Sequence, residues 1–266
     1  MSILQSILIK ASGSRFIQNL LEKNVQKSQY LMGIGSGGGG VFSSGERAIF
    51  RLLKQRCKPP YCIFDVGSNK GQFLKLILDS IPLADCAIHC FEPGRETFKI
   101  LGESSRKDQR IKLNNLGISK EKGEMSLHYD RVGSTLASLT KRKLDHFGID
   151  FSKTEKVEIN TLDDYCAENA IGHIDLLKID IEGHELDALQ GAKKLFEAKA
   201  IAIVTFEFGG CNIDTRTFFQ DFWYFFRERD FKIFRITPSG YLAPIESYQE
   251  ILEQFRTINF IAVANR

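Results

Sequence analysis

Several patterns that mark common classes of protein are missing from this chain. Its six cysteines include no Cys-x-x-Cys pair, which argues against a zinc ribbon. No run of Lys and Arg accompanies the formal net charge of +3, which argues against a nucleic-acid partner. No apolar stretch is long enough to span a bilayer, and the N-terminus lacks the basic start of a signal peptide. We expect the six cysteines to be free thiols, which persist in reducing compartments. Together with the absence of a signal peptide and of a membrane span, they predict a cytoplasmic protein.

The first part of the chain differs in composition from the rest. We interpret residues 1–58 as an N-terminal helical extension with a Gly-rich loop, and residues 59–266 as the main domain. The Gly-rich loop, Gly33–Gly40, fits either a flexible hinge or a mobile flap near the substrate. An apolar stripe at helical spacing predicts that the extension packs on the domain or on a second copy, forming a homo-oligomer. The members of the stripe are Ile3, Leu4, Ile7, Leu8, Phe16, Ile17, Leu20, Leu21 and Val25.

From Tyr61 onwards, short apolar runs alternate with helical patterns. Alternation of this kind predicts a parallel sheet with helices on both faces. An irregular segment with Pro238, Gly240 and Pro244 separates the last two strands, which we expect to pair antiparallel at the sheet edge. The predicted strands cover residues 61–66, 86–91, 110–114, 124–129, 156–160, 174–180, 201–208, 231–237 and 258–264. The predicted helices cover residues 71–80, 94–105, 161–169, 184–198 and 214–229.

The stretch from Asp65 to Gly71 predicts the end of a buried strand, a tight turn and a helix start. Glycine permits positive φ and lets the backbone lie against a ligand. The dinucleotide fingerprint Gly-x-Gly-x-x-Gly is absent, because Asp65 stands where its first glycine is expected. An acid there would repel a pyrophosphate, whereas it suits the cationic amino group and sulfonium of S-adenosylmethionine. The loop therefore predicts a site for S-adenosylmethionine, with an NAD(P)-dependent oxidoreductase as the alternative; its cofactor residues are Asp65, Gly67, Ser68, Asn69 and Gly71.

Polar residues also follow the next two predicted strands. Glu92 comes directly after the second strand, and the two oxygens of a carboxylate suit the vicinal hydroxyls of a ribose. Asn115 follows the third strand and precedes Leu116, a pairing that can flank an adenine ring. Because ligands of open α/β sheets bind at the carboxyl ends of the strands, we expect Glu92 and Asn115 to complete the cofactor site.

The richest motif lies at the end of the strand predicted over residues 174–180. Lys178, Asp180 and Glu182 alternate along the chain, so they point to one side of a strand. A structural explanation is open, in which Lys178 neutralises Asp180 and Glu185 caps the next helix. A catalytic explanation is also open, in which this strand end lies beside the reactive methyl group; its residues are Asp180, Glu182 and His184. The following strand adds Glu207 at its end, in a run so apolar that the carboxyl group needs a partner.

These motifs together resemble the FkbM-type methyltransferase family over residues 61–264. The resemblance implies the α/β, Rossmann-like fold of a class I methyltransferase, with a mostly parallel seven-stranded sheet and a C-terminal antiparallel strand pair. It also implies O-methylation by S-adenosylmethionine of a hydroxyl on a saccharide, such as a glycan or polysaccharide precursor, or on a small-molecule natural product. Gly117 departs from the alanine expected at that position. The motifs are Asp65–Gly71, Phe91–Pro93, Asn115–Ser119, Thr161–Tyr165, Leu177–Glu185 and Leu189–Ala192.

Methyl transfer to an alcohol requires that its proton leaves, and two routes are open. One is a general base, for which His184 has the most suitable intrinsic pKa, with Asp180 or Glu182 behind it. The other is a divalent cation, magnesium or manganese, and related O-methyltransferases place metal-binding acids at the strand ends that carry Asp180 and Glu207. Enzymes that methylate nucleic-acid bases carry an Asn/Asp-Pro-Pro-aromatic motif after this strand, and that motif is absent here.

Overall fold

The structure, a computed structural model, describes residues 3–105 and 108–265. Within those ranges the strands are β1 (Tyr61–Val66), β2 (Cys86–Phe91), β3 (Ile111–Asn114), β4 (Gly117–Ile118), β5 (Gly123–Tyr129), β6 (Lys153–Asn160), β7 (Ile174–Ile179), β8 (Ile201–Phe208), β9 (Phe231–Ile236), β10 (Leu242–Ile245) and β11 (Ile258–Ala264). The α-helices are α1 (Ile3–Ala11), α2 (Arg15–Leu31), α3 (Arg47–Arg56), α4 (Gln72–Ser80), α5 (Arg95–Ser104), α6 (Leu162–Glu168), α7 (Glu185–Gln190), α8 (Lys193–Glu197), α9 (Cys211–Thr215) and α10 (Phe219–Arg227).

The main sheet has eight strands in the order β10-β9-β11-β8-β7-β1-β2-β3. The prediction of a mostly parallel α/β sheet is confirmed, but the prediction of seven strands is wrong. The additional strand is β10, which pairs antiparallel with β9 inside the segment expected to be irregular. Pro244 is tolerated there because β10 is an edge strand, where a missing N–H costs no sheet hydrogen bond. The antiparallel pair formed by β9 and β11 therefore lies inside the sheet and not at its edge.

The runs predicted over residues 124–129 and 156–160 form strands outside the main sheet. They correspond to β5 and β6, which pair antiparallel and form a separate three-stranded sheet with β4. Leu127, Val157 and Ile159 make a small hydrophobic cluster of their own on this sheet. The alternating pattern of these runs predicted strands correctly, but pattern alone does not say which sheet a strand joins.

Two helices predicted as continuous are each divided in two. The predicted helix over residues 184–198 is broken between α7 and α8 at Gly191, where an added Cβ would meet the carbonyl oxygen of Ser119 at 2.2 Å. The Asp163 carboxylate accepts hydrogen bonds from the backbone N–H groups of Lys194 and Leu195, so a new helix starts there. The predicted helix over residues 214–229 is likewise divided into α9 and α10.

Side chains of the main sheet alternate between its two faces, so they pack in two hydrophobic cores, one on each face. Phe64 of β1 packs in one core with α6, α7, α8 and α10, and the neighbouring Ile63 packs in the other with α3 and α4. Because each central strand is buried on both faces, its sequence is almost continuously apolar. Polar groups on these strands are therefore concentrated at the strand ends, where the loops begin.

The N-terminal segment joins the sheet through its second half. Ile49, Phe50 and Leu53 of α3 are buried in the same core as β1. The apolar stripe of α2, by contrast, is exposed, and Phe16 is 76% accessible, so packing on a second copy stays a prediction. The side chains of Ile3, Leu4, Ile7 and Leu8 lie outside what the structure describes. In the ranges given above, none of the helices combines the length and the apolar character that crossing a bilayer requires.

Candidate active site

A cavity of about 620 Å³ opens at the carboxyl ends of β1, β2, β7 and β8. This is the edge at which open α/β sheets bind their ligands. The loops after those strands form its floor. Its remaining walls come from segments that are distant in sequence: part of the Gly-rich loop at residues 35–41, the hydroxyl-rich residues 134–139, and residues 255–259 before and at the start of β11.

The loop after β1 is held by backbone contacts on two sides. The backbone N–H groups of Gly67 and Ser68 both donate to the Phe91 carbonyl, at 3.0 and 2.9 Å. Gly67 has φ of 86°, and an added Cβ would lie 1.9 Å from the carbonyl oxygen of Asp180. Glycine is required at this position because the β1 and β7 loops touch. Gly71 also has positive φ and starts α4, but it lies behind the cavity wall.

Glu92 faces the cavity from the end of β2. One of its carboxylate oxygens accepts from the backbone N–H of Asn69 at 3.0 Å, and the other accepts from that of Gly94 at 2.9 Å. Burial raises the pKa of Glu92 to about 7, although these two hydrogen bonds act to lower it. The Asn69 side chain donates to the Ser134 carbonyl at 2.9 Å, which ties the hydroxyl-rich segment over the same part of the cavity.

Asn115 occupies a different place from the one expected. Its amide donates to the carbonyl oxygens of Glu92 and Pro93, at 2.9 and 3.0 Å, and its side chain is not part of the cavity wall. Asn115 therefore fixes the path of the chain after β2. The apolar Leu116 and Ile118 do line the cavity.

Lys178 connects the loops after β1 and β7. Its ammonium lies 3.3 Å from the carboxylate of Asp65 and 3.4 Å from that of Asp180. Asp65 is fully buried behind the cavity wall, whereas the Asp180 side chain is 38% exposed and lines the cavity. Burial alone would lower the pKa of Lys178, but the carboxylates of Asp180 and Asp65 outweigh it, so that pKa is raised and Lys178 stays charged.

Glu182 lines the cavity beside Asp180 with a backbone φ of 54°. Its carboxylate lies 2.5 Å from the guanidinium of Arg142, which also approaches Asp214 at 3.5 Å. Burial, followed by the charge of Asp180, raises the pKa of Glu182 to about 8, against the lowering effect of Arg142. One acid of the predicted catalytic set is thus already paired with a cation.

Glu207 lies in the cavity wall at the end of β8, and its carboxyl group has no hydrogen bond or ion pair within residues 3–105 and 108–265. Burial, followed by the nearby charges of Asp180 and Glu182, raises its pKa well above the usual range. Ligand atoms of Glu182, Glu207 and Cys211 lie within 4.8 Å of one another.

His184 stands outside the cavity wall, and both of its ring nitrogens are engaged. Nδ1 bonds to the Asp187 carboxylate at 2.8 Å, and Nε2 bonds to the Thr140 hydroxyl at 2.9 Å. The neighbouring Glu185 is buried and accepts from the backbone N–H groups of Ile181 and Gly183, which precede α7, so it fixes the loop and does not cap the helix as predicted. The structure therefore brings Asp180, Glu182 and Glu207 together at the cavity and leaves His184 behind them.

Comparison with known proteins fits this arrangement. A family model described as the methyltransferase FkbM domain matches residues 65–233. The chain belongs to the FkbM methyltransferase domain family. The resemblance drawn from the motifs is confirmed, and the match does not favour a nicotinamide-dependent oxidoreductase. Both loops that touch at Gly67 lie within the FkbM match, as do the cavity acids Asp180, Glu182 and Glu207, whereas residues 35–41 and 255–259 lie outside it.

Two curated proteins are similar to this FkbM-family chain over part of their length. The 2-O-methyltransferase NoeI of Sinorhizobium fredii (strain NBRC 101917 / NGR234) is 29% identical over 157 residues, which are 56% of this chain and 63% of that protein. The hexuronic acid methyltransferase AglP of Haloferax volcanii is 26% identical over 168 residues, which are 62% of this chain and 64% of that protein. The chain thus spans slightly less than two thirds of each relative.

Solved structures with loosely similar folds include other methyltransferases. The crystal structure of the methyltransferase FkbM from Methylobacillus flagellatus KT is 16% identical and covers 80% of this chain and 50% of that chain, with a TM-score of 0.42. The plantazolicin methyltransferase BpumL in complex with SAH is 10% identical and covers 96% of this chain and 92% of that chain, with a TM-score of 0.43. Overlaps at this level are too loose to place a ligand or a catalytic residue.

Three cavity residues were missed by sequence reasoning. Glu46 is buried and lines the cavity, although its Ser-Ser-Gly-Glu setting resembles a helix cap. Arg142 comes from an irregular segment without a recognisable motif. Asn259 is the polar residue in the otherwise apolar β11, so its presence there was a usable signal.

Proposed function

We propose that this protein is an S-adenosylmethionine-dependent O-methyltransferase that acts on a hydroxyl group of a saccharide. The observation that carries the proposal is one continuous cavity in which Glu92 and the Gly67–Asn69 loop face Asp180 and Glu207. Membership of a methyltransferase family supports the donor. The names of the two relatives, a 2-O-methyltransferase and a hexuronic acid methyltransferase, support a saccharide ahead of other small molecules.

The half of the cavity beside β1 and β2 has groups that fit S-adenosylmethionine. Glu92 offers its remaining carboxylate lone pairs to the ribose hydroxyls, and the apolar Leu116 and Ile118 can flank a flat ring. The backbone of Gly67–Asn69 borders the same space. We assign Asp65 and Asn115 to shaping this half from behind the wall. When bound, S-adenosylmethionine supplies an electrophilic methyl group on a sulfonium.

The half beside β7 and β8 has the groups that handle the acceptor. We assign Asp180 as the general base, because its carboxylate lines the cavity and is partly exposed. There it would take the proton from the acceptor hydroxyl, whose oxygen would receive the methyl group as the carbon–sulfur bond of the donor breaks and leaves S-adenosylhomocysteine. Glu182 is less suited because it is more buried and Arg142 holds its carboxylate at 2.5 Å, whereas Lys178 lies 3.4 Å from Asp180. His184 is less suited because its two nitrogens are bonded elsewhere.

A divalent cation is a second route to the same function. Asp180 and Glu207 are hard oxygen donors of the type that magnesium and manganese prefer, and the Glu207 carboxyl has no hydrogen bond in the described ranges. These two residues would hold the ion, which lowers the pKa of a bound hydroxyl. The thiol of Cys211 beside Glu207 is a soft ligand that magnesium does not prefer, so we keep the metal-free base as the main proposal.

Calorimetric titration with S-adenosylhomocysteine tests the donor half. We expect stoichiometric binding to the wild type and much weaker binding to Glu92→Ala, with Gly123→Ala as a control at a site where an added Cβ meets nothing within 4 Å. Folded wild-type protein that fails to bind S-adenosylhomocysteine, or that binds NADP instead, would overturn the proposed function.

Methyl transfer from radiolabelled S-adenosylmethionine to methyl glycosides tests the acceptor half. Because a general base contributes about 10²- to 10⁴-fold, Asp180→Asn should lower kcat by that range while S-adenosylhomocysteine binds as before. A chelator separates the two routes. Full activity of the wild type in EDTA rules out the metal route, whereas loss that magnesium restores, together with an inactive Glu207→Gln variant, rules out the metal-free one.

A further inference from the structure

The side-chain amide of Asn259, a largely buried residue, has no hydrogen-bond partner in the described part of the chain. The residue is 9% exposed and lines the cavity, yet its side chain makes no hydrogen bond in the described ranges 3–105 and 108–265. It is also the single polar residue of β11. Its amide atoms are not among the fully buried unpaired atoms of the described ranges, so the amide is open to the cavity, where a ligand can supply the partner that such groups normally have.

The register of the sheet places Asn259 directly beside Glu207. The two residues are paired across the antiparallel strands β11 and β8, so their side chains project from the same face. Directly opposed residues in such a pair have Cα atoms roughly 4.5–5.5 Å apart. The Glu207 carboxyl also lacks a recorded partner. An amide, which donates and accepts, beside a carboxyl group is a donor and acceptor set that suits two neighbouring hydroxyl groups.

The Gly-rich loop bounds the same end of the cavity. The backbone N–H groups of Gly35 and Gly37 both donate to the Thr257 carbonyl, two residues before Asn259, at 2.9 and 3.2 Å. Gly38 has no positive φ, and an added Cβ would meet only the Thr257 hydroxyl, at 3.9 Å. Neither the backbone conformation nor packing requires glycine at position 38, so the space beside it in the cavity wall is open to a ligand.

Charge in the cavity disfavours an anionic ligand. Five acids line it: Glu46, Glu92, Asp180, Glu182 and Glu207. Of the cations in the wall, Lys178 pairs with Asp65 and Asp180, and Arg142 pairs with Glu182 and Asp214. Arg256 is exposed and donates to Gln29 at 2.8 Å. A carboxylate on the ligand would therefore lose its water in a wall whose buried cations, within the described ranges, are already paired.

We propose that Asn259 and Glu207, together with the bare backbone of Gly38 in the same cavity wall, form an acceptor subsite that binds a vicinal diol of an uncharged saccharide. The inference rests on the proposed function and deepens it, because it names the acceptor class and the residue that orients it. Asn259 is a binding residue here: it fixes the diol and thereby decides which hydroxyl group faces Asp180. The sequence alone does not reveal this subsite, because residues 38 and 259 are far apart in the chain and lie on opposite sides of the region that the family model matches.

Saturation-transfer NMR with protein saturated by S-adenosylhomocysteine tests the subsite. The probes are the methyl glycosides of mannose, glucose and galactose, each beside its 3-deoxy analogue, which has no vicinal diol, and methyl glucuronoside, which carries a carboxylate. We expect the wild type to bind at least one neutral glycoside and to bind the matching 3-deoxy analogue roughly tenfold more weakly, as for the loss of one or two hydrogen bonds. The glucuronoside should bind more weakly than the neutral glycoside.

The variants decide whether Asn259 causes this preference. Asn259→Ala should bind the neutral glycoside with roughly tenfold lower affinity, and it should no longer prefer that glycoside over its 3-deoxy analogue. Gly38→Val should weaken the binding of every glycoside because the new side chain fills the open space. Gly123→Val, at another glycine with open space, should leave glycoside binding unchanged. All variants should bind S-adenosylhomocysteine like the wild type, which reports on folding.

Three results would overturn the inference: wild-type protein that binds S-adenosylhomocysteine but no neutral glycoside, a diol preference that survives in Asn259→Ala, or a glucuronoside that binds as tightly as the neutral sugars. If Asn259→Ala does not fold, Gly38→Val gives the decision, because unchanged glycoside binding in that variant contradicts the subsite. Absence of S-adenosylhomocysteine binding is a separate outcome, which contradicts the proposed function itself.

Discussion

The two halves of the cavity differ in how far the protein satisfies its own polar groups. Beside β1 and β2, the N–H groups of Gly67, Ser68 and Asn69 and both oxygens of Glu92 have hydrogen-bond partners within the protein. Beside β8 and β11, Glu207 and Asn259 have no recorded partner in the described part of the chain. The comparison indicates a donor half that is preformed and an acceptor half that is completed by its ligand. Four substitutions test that difference.

The largest effect is expected at Lys178, which joins the two halves. Lys178→Met leaves the fully buried Asp65 carboxylate without its charge partner, because no other group in the described ranges bonds to it. Breaking a buried ion pair in this way costs about 3–5 kcal/mol, measurable as the free energy of unfolding in urea. The double variant Asp65→Asn/Lys178→Met should recover most of this loss. A single variant as stable as the wild type would show that the halves do not depend on each other.

A smaller loss of stability is expected where the halves touch. Gly67→Ala forces a Cβ to within 1.9 Å of the Asp180 carbonyl at a φ of 86°. Strain and overpacking of this kind lower the free energy of unfolding by about 2–3 kcal/mol. The donor loop should also shift enough to weaken the binding of S-adenosylhomocysteine. The matched control is Gly123→Ala, whose unfolding free energy should equal that of the wild type. Equal stability of both variants would mean that the contact between the β1 and β7 loops is dispensable.

Glu92→Gln tests whether the donor half is preformed at the expense of stability. The folded pKa of Glu92 is raised to about 7, so between about pH 4.5 and pH 7 the folded state binds more protons than the unfolded state, and stability falls as pH rises. The variant lacks this titration. Its unfolding free energy relative to the wild type should therefore increase across that window and level off above it.

The same variant should bind S-adenosylhomocysteine about tenfold more weakly, because an amide nitrogen replaces one accepting oxygen. Calorimetry at pH 8 measures this. A pH-independent difference in stability between Glu92→Gln and the wild type would contradict the assignment of the raised pKa to this carboxyl.

The smallest effect is expected at His184, the base favoured by intrinsic pKa. Because its nitrogens bond to Asp187 and Thr140, His184→Gln should lower stability by about 1 kcal/mol and leave kcat within a few-fold of the wild type. Methyl-transfer assays over a range of pH measure this. A fall of about 10²-fold or more would restore His184 as the base.

Sequence reasoning succeeded where chemistry is concentrated in short motifs at strand ends. Glu92, Asp180 and Glu207 each end or follow an apolar run, and parallel topology alone brings such positions to one edge of the sheet. Asp65 reaches the same edge, but it lies behind the cavity wall and not at the cofactor position predicted for it. The helical faces and the central strands were predicted for the same reason, since burial on one or two faces leaves a period in the sequence.

The remaining errors have a common physical origin. The eighth strand, the separate sheet of β4, β5 and β6, and the position of Asn115 all depend on which neighbour a segment meets in three dimensions. Arg142 and Glu46 reach the cavity through loops, where no periodicity marks the inward side chain. Asn259 is the exception, because a lone amide in an apolar strand is visible in the sequence and was not used.

The contact between the Gly-rich loop and the last strand has a consequence for biosynthesis. Its anchoring hydrogen bonds join residues far apart in the chain, such as Gly35 and Thr257, which are separated by 222 positions (257 − 35). At roughly 5–20 residues per second, the first member of such a pair leaves the ribosome about 11–45 s before the second. The contacts of the loop after β1 with Phe91 and Asp180 lie within the chain up to Asp180, the residue that follows β7. The acceptor wall, by contrast, includes residues 255–259. The acceptor wall is therefore completed only when synthesis of the 266 residues is almost finished.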